Sequence, residues 1–258
     1  MKMRVTRSIV PNLFTLMNIF MGFNAIVYIS HDDYLKGAIF ILLAGVFDAL
    51  DGVMARLIKS TSEFGAELDS LCDAVSFGVA PGYMLYKVQF HQFGDLGILL
   101  ASLPALAGVI RLARFNVKMT SFEDKNYFNG LPIPSSALTI ISYIIFFHLS
   151  SDYSSDLKFW AIIVVTLLTT FAMVSNIKFD NMPRPTRKSI KQRPVAAAAF
   201  FIGLLISIIS KGKYIFPCLL FYIFASFVRQ LFFWYKESRE AIDDIDETDI
   251  PEPEAYDP

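Results

Sequence analysis

The chain is short of charge. Asp, Glu, Lys and Arg make up only 18% of its 258 residues, against about a quarter in soluble domains. With 54% hydrophobic residues and a mean hydropathy of +0.48, that shortage excludes both a disordered chain and a water-soluble globule. Cysteine is scarce too, and two residues rule out a disulfide scaffold. Glycine is outnumbered by phenylalanine, 13 to 25, which rules out collagen. The absence of an internal repeat weighs against an inverted-repeat transporter. A polytopic membrane protein remains. No cleavable leader is expected, because the first apolar segment is long, lacks a small-residue cleavage site and carries Asn12, Thr15 and Asn18.

Apolar stretches long enough to cross a bilayer fall at about 11–30, 35–58, 66–88, 93–116, 133–150, 157–177, 194–210 and 213–236. Eight spans place both termini on one side. Eighteen basic residues then collect on that side, against Lys36, Lys87, Lys158, Lys211 and Lys213 on the other, so both termini are expected in the cytoplasm. Residues 1–236 hold 22 basic and 14 acidic side chains, a net of +8, whereas 237–258 hold ten acids and Arg239. The sequence therefore divides into a transmembrane body, 1–236, and an acidic cytoplasmic tail, 237–258, expected to be disordered. The basic loop from Lys178 to Arg193 reads as topology and contact with anionic headgroups.

Four acids stand where a membrane helix tolerates them poorly. Asp48 and Asp51 end the second span with i,i+3 spacing, and Asp69 and Asp73 begin the third with i,i+4 spacing. Each pair occupies one helical face, and the two antiparallel helices bring both pairs to the cytoplasmic end. Four adjacent carboxylates cannot all stay ionised unaided. Oxygen ligands without His or Cys favour Mg²⁺, Mn²⁺ or Ca²⁺ over Zn²⁺, and two such ions would clamp a phosphate or pyrophosphate. Gly52 and Ala55 are small enough to admit a ligand, and Arg56 suits a phosphate oxygen. Thr61, Ser62 and Gly65, in the turn before the third helix, offer hydroxyls and N–H groups to an anion. The competing readings are helix-end acids paired with Arg56 and Lys59, and a cation transporter that uses the acids as its ion site. The acids lie at one end rather than at mid-membrane, with Arg56 among them, which weighs against transport.

Asp48-Ala-Leu-Asp51-Gly52-Val-Met-Ala55-Arg56, eight residues, Gly65, three residues, Asp69, three residues, Asp73 resembles the signature of the CDP-alcohol phosphatidyltransferases. Every fixed position is filled. Pro11-Asn12-Leu-Phe-Thr15-Leu-Met-Asn18, the run Asp69 to Pro81, Arg111-Leu-Ala-Arg114-Phe-Asn116 and Gly130-Leu-Pro132-Ile-Pro134 resemble the branch whose acceptor alcohol is L-serine. The resemblance covers roughly 11–134.

The resemblance implies an all-α integral membrane protein with a six-helix core. The eight-span count adds two C-terminal helices to it. It also implies a homodimer, with a cavity open to the cytoplasm at the inner membrane of a prokaryote. The implied reaction moves a phosphatidyl group from CDP-diacylglycerol to an alcohol and releases CMP. Asp48, Asp51, Asp69 and Asp73 would hold two divalent ions, Mg²⁺ or Mn²⁺, with Asp73 also the general base. Gly52, Arg56 and Thr61 would hold the nucleotide, joined by Ala55, Ser62 and Gly65.

The acceptor side is open to spacing arguments. Asp69, Asp73, Ser76 and Phe77 fall at i, i+4, i+7 and i+8, so Ser76 and Phe77 are expected beside the acceptor. Arg111 and Arg114 are candidates for the serine carboxylate, or for topological anchoring. Thr15 and Asn18 share a face of the first helix, where they would bond the nucleotide or join helices. Glycerol-3-phosphate or inositol phosphate as acceptor stays open, because the four acids serve only the shared half of the reaction. The histidines His31, His91 and His148 read as interfacial, and Cys72 as a helix-packing residue.

Overall fold

Apolar helices dominate because the chain has little else to bury in water. The computed structural model describes residues 9–58, 63–119, 127–180 and 212–248, with isolated positions between 203 and 210. Helix α1 (Ile9–Ser30) turns through His31–Asp33 into α2 (Tyr34–Ile58). The next rod is continuous but not uniform. It starts as α3 (Glu63–Asp73), widens to a π-helical segment (Ala74–Val79) and narrows again as α4 (Ala80–Val88). A 3₁₀ turn (Phe90–Phe93) leads into α5 (Gly94–Met119). Beyond it come β1 (Tyr127–Asn129), α6 (Ile133–Tyr143) with a π-helical end (Ile144–His148), α7 (Ser155–Val174), β2 (Lys178–Asp180) and α8 (Ile215–Thr248).

Among the described residues, five helices are long and apolar enough to cross a membrane: Pro11–Ser30, Tyr34–Ala55, Phe90–Val117, Ser155–Val174 and Ile215–Lys236. Ile133–His148 is a shorter apolar helix. Their outward faces carry Phe20, Phe23, Val46, Leu99, Trp160, Phe171, Phe224 and Trp234. So much exposed apolar surface is foreign to a soluble monomer and defines an integral membrane protein. The interior is packed by small and branched residues, among them Ala25, Ile29, Ile41, Ala44, Met84, Ile140 and Ile162. The third expected span is helical throughout, and the expected span 194–210 lies largely outside the described residues.

Polar contacts mark the two ends. At one end Lys87 pairs with Asp32 at 2.9 Å and Lys36 with Asp33 at 2.7 Å, and the hydrogen bond from Lys87 holds the Asp32 carboxyl below the usual carboxylate range. Asp48 lies 14 residues beyond Tyr34, the first residue of α2, about 21 Å at helical rise, so the acids sit toward the other end. There β1 and β2 form a two-stranded antiparallel ribbon, with Phe128 opposite Phe179. Gly130, at φ +83°, makes the turn from β1 toward α6. A Cβ there would stand 2.3 Å from the carbonyl oxygen of Met173, so only glycine fits.

Two expectations are corrected. α8 runs on to Thr248, so the backbone from Glu237 to Thr248 is helical where disorder was expected. Glu237, Arg239, Glu240 and Ala241 are good helix formers, and they extend a helix that is already nucleated. His148 is buried against the Tyr143 ring, with centroids 5.9 Å apart, rather than interfacial.

Candidate active site

The site is built where α1, α2 and α3 meet. α2 carries Asp48 and Asp51 one turn apart, and α3 brings Asp69 against them. One carboxylate oxygen from each of Asp48, Asp51 and Asp69 lies within 4.8 Å of the others. Asp51 is buried, and Asp48 and Asp69 are half-buried. Asp73 stands outside this trio. Its buried carboxylate accepts a hydrogen bond from Asn18 Nδ2 at 3.0 Å, within electrostatic reach of the other three acids.

α1 supplies the polar partners. Thr15 Oγ1 donates to Asp51 Oδ2 at 2.8 Å. Asn18, one turn on, is fully buried, and its carbonyl oxygen accepts from Ser76 Oγ at 3.1 Å. The helices can approach this closely because residue 22 is glycine: a Cβ there would lie 2.2 Å from Ser76 Oγ.

The trio fits a hard divalent cation. All its donors are carboxylate oxygens, and the buried Asp69 Oδ1 has no hydrogen-bond partner. A negative oxygen buried in that way is costly unless a cation faces it. Beside the trio, a Cβ on Gly52 would meet nothing within 4 Å, which leaves room for a ligand against α2. Ala55 and Gly65 are half-buried nearby in the chain. Thr61, Ser62 and the Arg56 side chain lie outside the described residues.

On the acceptor side, Ser76 and Phe77 are both taken up by packing. Ser76 spends its hydroxyl on Asn18 O, and Phe77 is buried in the core, 3.8 Å from the position a Cβ on Gly45 would take. The physical reason is close packing: Ser76 meets α1 at Asn18, the residue that also bonds Asp73, and Phe77 lies against α2 beside Gly45. Thr15 and Asn18 hydrogen-bond two of the acids, Asp51 and Asp73.

The two arginines separate as well. Arg111 is buried on α5 within electrostatic reach of Asp73 and of Tyr222 on α8. Arg114 donates to the carbonyl oxygen of Val174 and to Asn176 Oδ1, tying α5 to the end of α7. Three participants escaped the sequence reading. Asn116 donates to Ser70 Oγ at 3.0 Å and so braces α3. Asn176 receives Arg114. Tyr222 packs on Phe179 of the ribbon, with ring centroids 5.8 Å apart. Asn116 stood inside a quoted motif and had a signal; Asn176 and Tyr222 had none.

Fold and site together define a helical integral membrane protein with a carboxylate cluster suited to a divalent cation. The chain belongs to the CDP-alcohol phosphatidyltransferase family, whose model matches residues 8–172, and is an enzyme. It is 34% identical over 210 residues to the CDP-diacylglycerol–serine O-phosphatidyltransferase of Helicobacter pylori strain J99, covering 75% of this chain and 86% of that one. It is 39% identical over 175 residues to the archaetidylserine synthase of Methanothermobacter thermautotrophicus, covering 67% and 70%. With the CDP-diacylglycerol–serine O-phosphatidyltransferase of Bacillus subtilis it shares 29% over 182 residues, covering 70% and 96%.

Proposed function

We propose that this enzyme transfers the phosphatidyl group of CDP-diacylglycerol to L-serine, forming phosphatidylserine and CMP. The observation that carries the reading is the carboxylate cluster: three acids converge within 4.8 Å, and the fourth, Asp73, is buried within electrostatic reach of them. The serine-named relatives support the choice of acceptor.

Asp48, Asp51 and Asp69, with Asp73 at their edge, would hold two ions, Mg²⁺ or Mn²⁺. Bound there, such ions neutralise charge on the pyrophosphate and on departing CMP. The chain's own groups do the rest. Asp73 takes the proton from the serine hydroxyl, whose oxygen attacks the phosphorus bonded to diacylglycerol. The new O–P bond forms as the P–O bond to CMP breaks, and CMP leaves with that electron pair. Arg111, buried within electrostatic reach of Asp73, binds the serine carboxylate. Gly52 and Ala55 leave room for the nucleotide.

The same reading includes a homodimer and a catalytic body of eight spans at 1–236. It places the protein in the inner membrane of a prokaryote, with both termini and the acidic segment in the cytoplasm. The test is CMP release by purified protein in detergent with CDP-diacylglycerol and Mg²⁺ or Mn²⁺. L-Serine, glycerol-3-phosphate and inositol phosphate are supplied separately. Release that depends on serine and on the metal is expected. Release with another acceptor alone would remove serine from the assignment, and none with any acceptor would return weight to cation transport.

A further inference from the structure

Arg111 and Arg114 are neighbours on α5, three residues apart. Arg114 shows what this stretch of α5 packs against, because it bonds Val174 O and Asn176 Oδ1 at the end of α7. From there the chain runs into β2, whose Phe179 is fully buried. The Phe179 ring carries Tyr222 of α8, with ring centroids 5.8 Å apart. So α5, the ribbon and α8 meet at one corner. Its two aromatic members, Phe179 and Tyr222, both lie beyond the family match at 8–172.

Tyr222 stands at the edge of the buried face of α8. Ile223 and Ser226 are buried, Phe221 and Phe224 are exposed, and Tyr222 is half-buried between them. Contact with Phe179 asks only for a ring. Phenylalanine would supply one, as it does at 216, 221, 224 and 227 of the same apolar stretch. A phenol adds a hydroxyl, and a hydroxyl in such surroundings calls for a polar partner. The guanidinium of Arg111, only 7% exposed, lies within its electrostatic reach. The same guanidinium is within reach of Asp73. A guanidinium is a planar fork that grips a carboxylate with both prongs only when its plane is set, and a hydroxyl beside it can set that plane.

We propose that Tyr222 is a positioning residue of the acceptor site: its hydroxyl orients the Arg111 guanidinium toward the carboxylate of the incoming serine. A residue outside the shared family region thereby bears on the choice of acceptor, the half of the reaction that the four acids do not decide. This rests on the proposed reaction and on Arg111 as the group that binds the carboxylate.

The test compares Tyr222→Phe, Tyr222→Leu, Arg111→Ala and the double variant Arg111→Ala/Tyr222→Phe with wild type. Each full-length chain is purified in detergent and checked by gel filtration and thermal unfolding. CMP release is then measured against serine and against CDP-diacylglycerol, with Mn²⁺ present. Tyr222→Phe keeps the ring and is expected to unfold like wild type. Its serine KM should rise about 10-fold, the scale of one lost hydrogen bond to a charged group. Its kcat and CDP-diacylglycerol KM should stay within about twofold. In the Arg111→Ala background the same change should add less than about twofold, because the hydroxyl acts through the arginine. Tyr222→Leu removes ring and hydroxyl together, so it should raise the serine KM and lower the Tm as well.

A Tyr222→Phe enzyme with a serine KM like that of wild type, beside an Arg111→Ala enzyme with a raised one, would overturn the inference alone. A KM that rises only in Tyr222→Leu, in step with a lower Tm, would do the same and leave Tyr222 a packing residue. So would an effect of Tyr222→Phe that is equally large with and without Arg111. A wild-type protein that shows no serine-dependent CMP release would sink the proposed reaction itself, and the inference with it.

Discussion

At the scale of single residues, two arginines one turn apart on α5 do different work. Arg111 is buried near Asp73 and Tyr222, whereas Arg114 is spent on Val174 O and Asn176. Arg111→Ala is therefore expected to raise the serine KM by roughly 10- to 100-fold with the CDP-diacylglycerol KM unchanged, as loss of a charge-assisted carboxylate contact should. Arg111→Lys should recover only part of this, because a point charge does not reproduce the guanidinium fork. Arg114→Ala should leave the serine KM alone and cost about 1 kcal/mol of stability, read as a lower Tm, since its two bonds are partly solvated. A serine KM that rose as much for Arg114→Ala as for Arg111→Ala would contradict this division. In the sequence the two are equivalent candidates. What separates them is the end of α7, some 60 residues away, and nothing local to α5 encodes it.

At the scale of elements, the acid pairs were legible and the helix that carries one of them was only half so. Asp48, Asp51, Asp69 and Asp73 lie in α-helical stretches, where spacing translates directly into a shared face. Ser76 and Phe77 lie beyond the change to π-helix at Ala74, a change that sequence periodicity does not mark, and there the segment packs on α1. The pressure point is Gly22. Gly22→Ala would set a Cβ 2.2 Å from Ser76 Oγ and 2.8 Å from Ser76 Cα. The second of these atoms is backbone, so no rotamer change relieves the contact, and α1 must move away from the π-helical segment. A destabilisation of about 1–3 kcal/mol is expected. Activity should fall more steeply than stability, because Thr15 and Asn18 shift with the helix. Thermal unfolding and CMP release measured together check this; retention of full activity would mean that α1 tolerates displacement and does not set the acids.

At the scale of the whole molecule, the packing around the candidate site reaches further along the chain than the family match. The match covers 8–172, yet Tyr222 on α8 packs on Phe179 of the ribbon and lies within electrostatic reach of Arg111. None of the site residues named above lies beyond Tyr222, although α8 continues to Thr248. That extension leaves the apolar stretch ending at Lys236 and enters the acidic segment. Its good helix formers explain why it is helical without giving it a part in the chemistry. Two truncations separate these roles. A chain ending at Lys236 keeps the whole apolar part of α8, and serine-dependent CMP release is expected within about twofold of the full chain. A chain ending at Lys213 loses α8 and with it the support of the ribbon and of Arg111. It should lose kcat and weaken serine binding together, beyond what Arg111→Ala alone produces. A loss greater than about 10-fold on removing 237–258 alone would make the acidic helix part of the catalytic body. A chain ending at Lys213 that folds and keeps full activity would instead return the entire site to the region that the family shares.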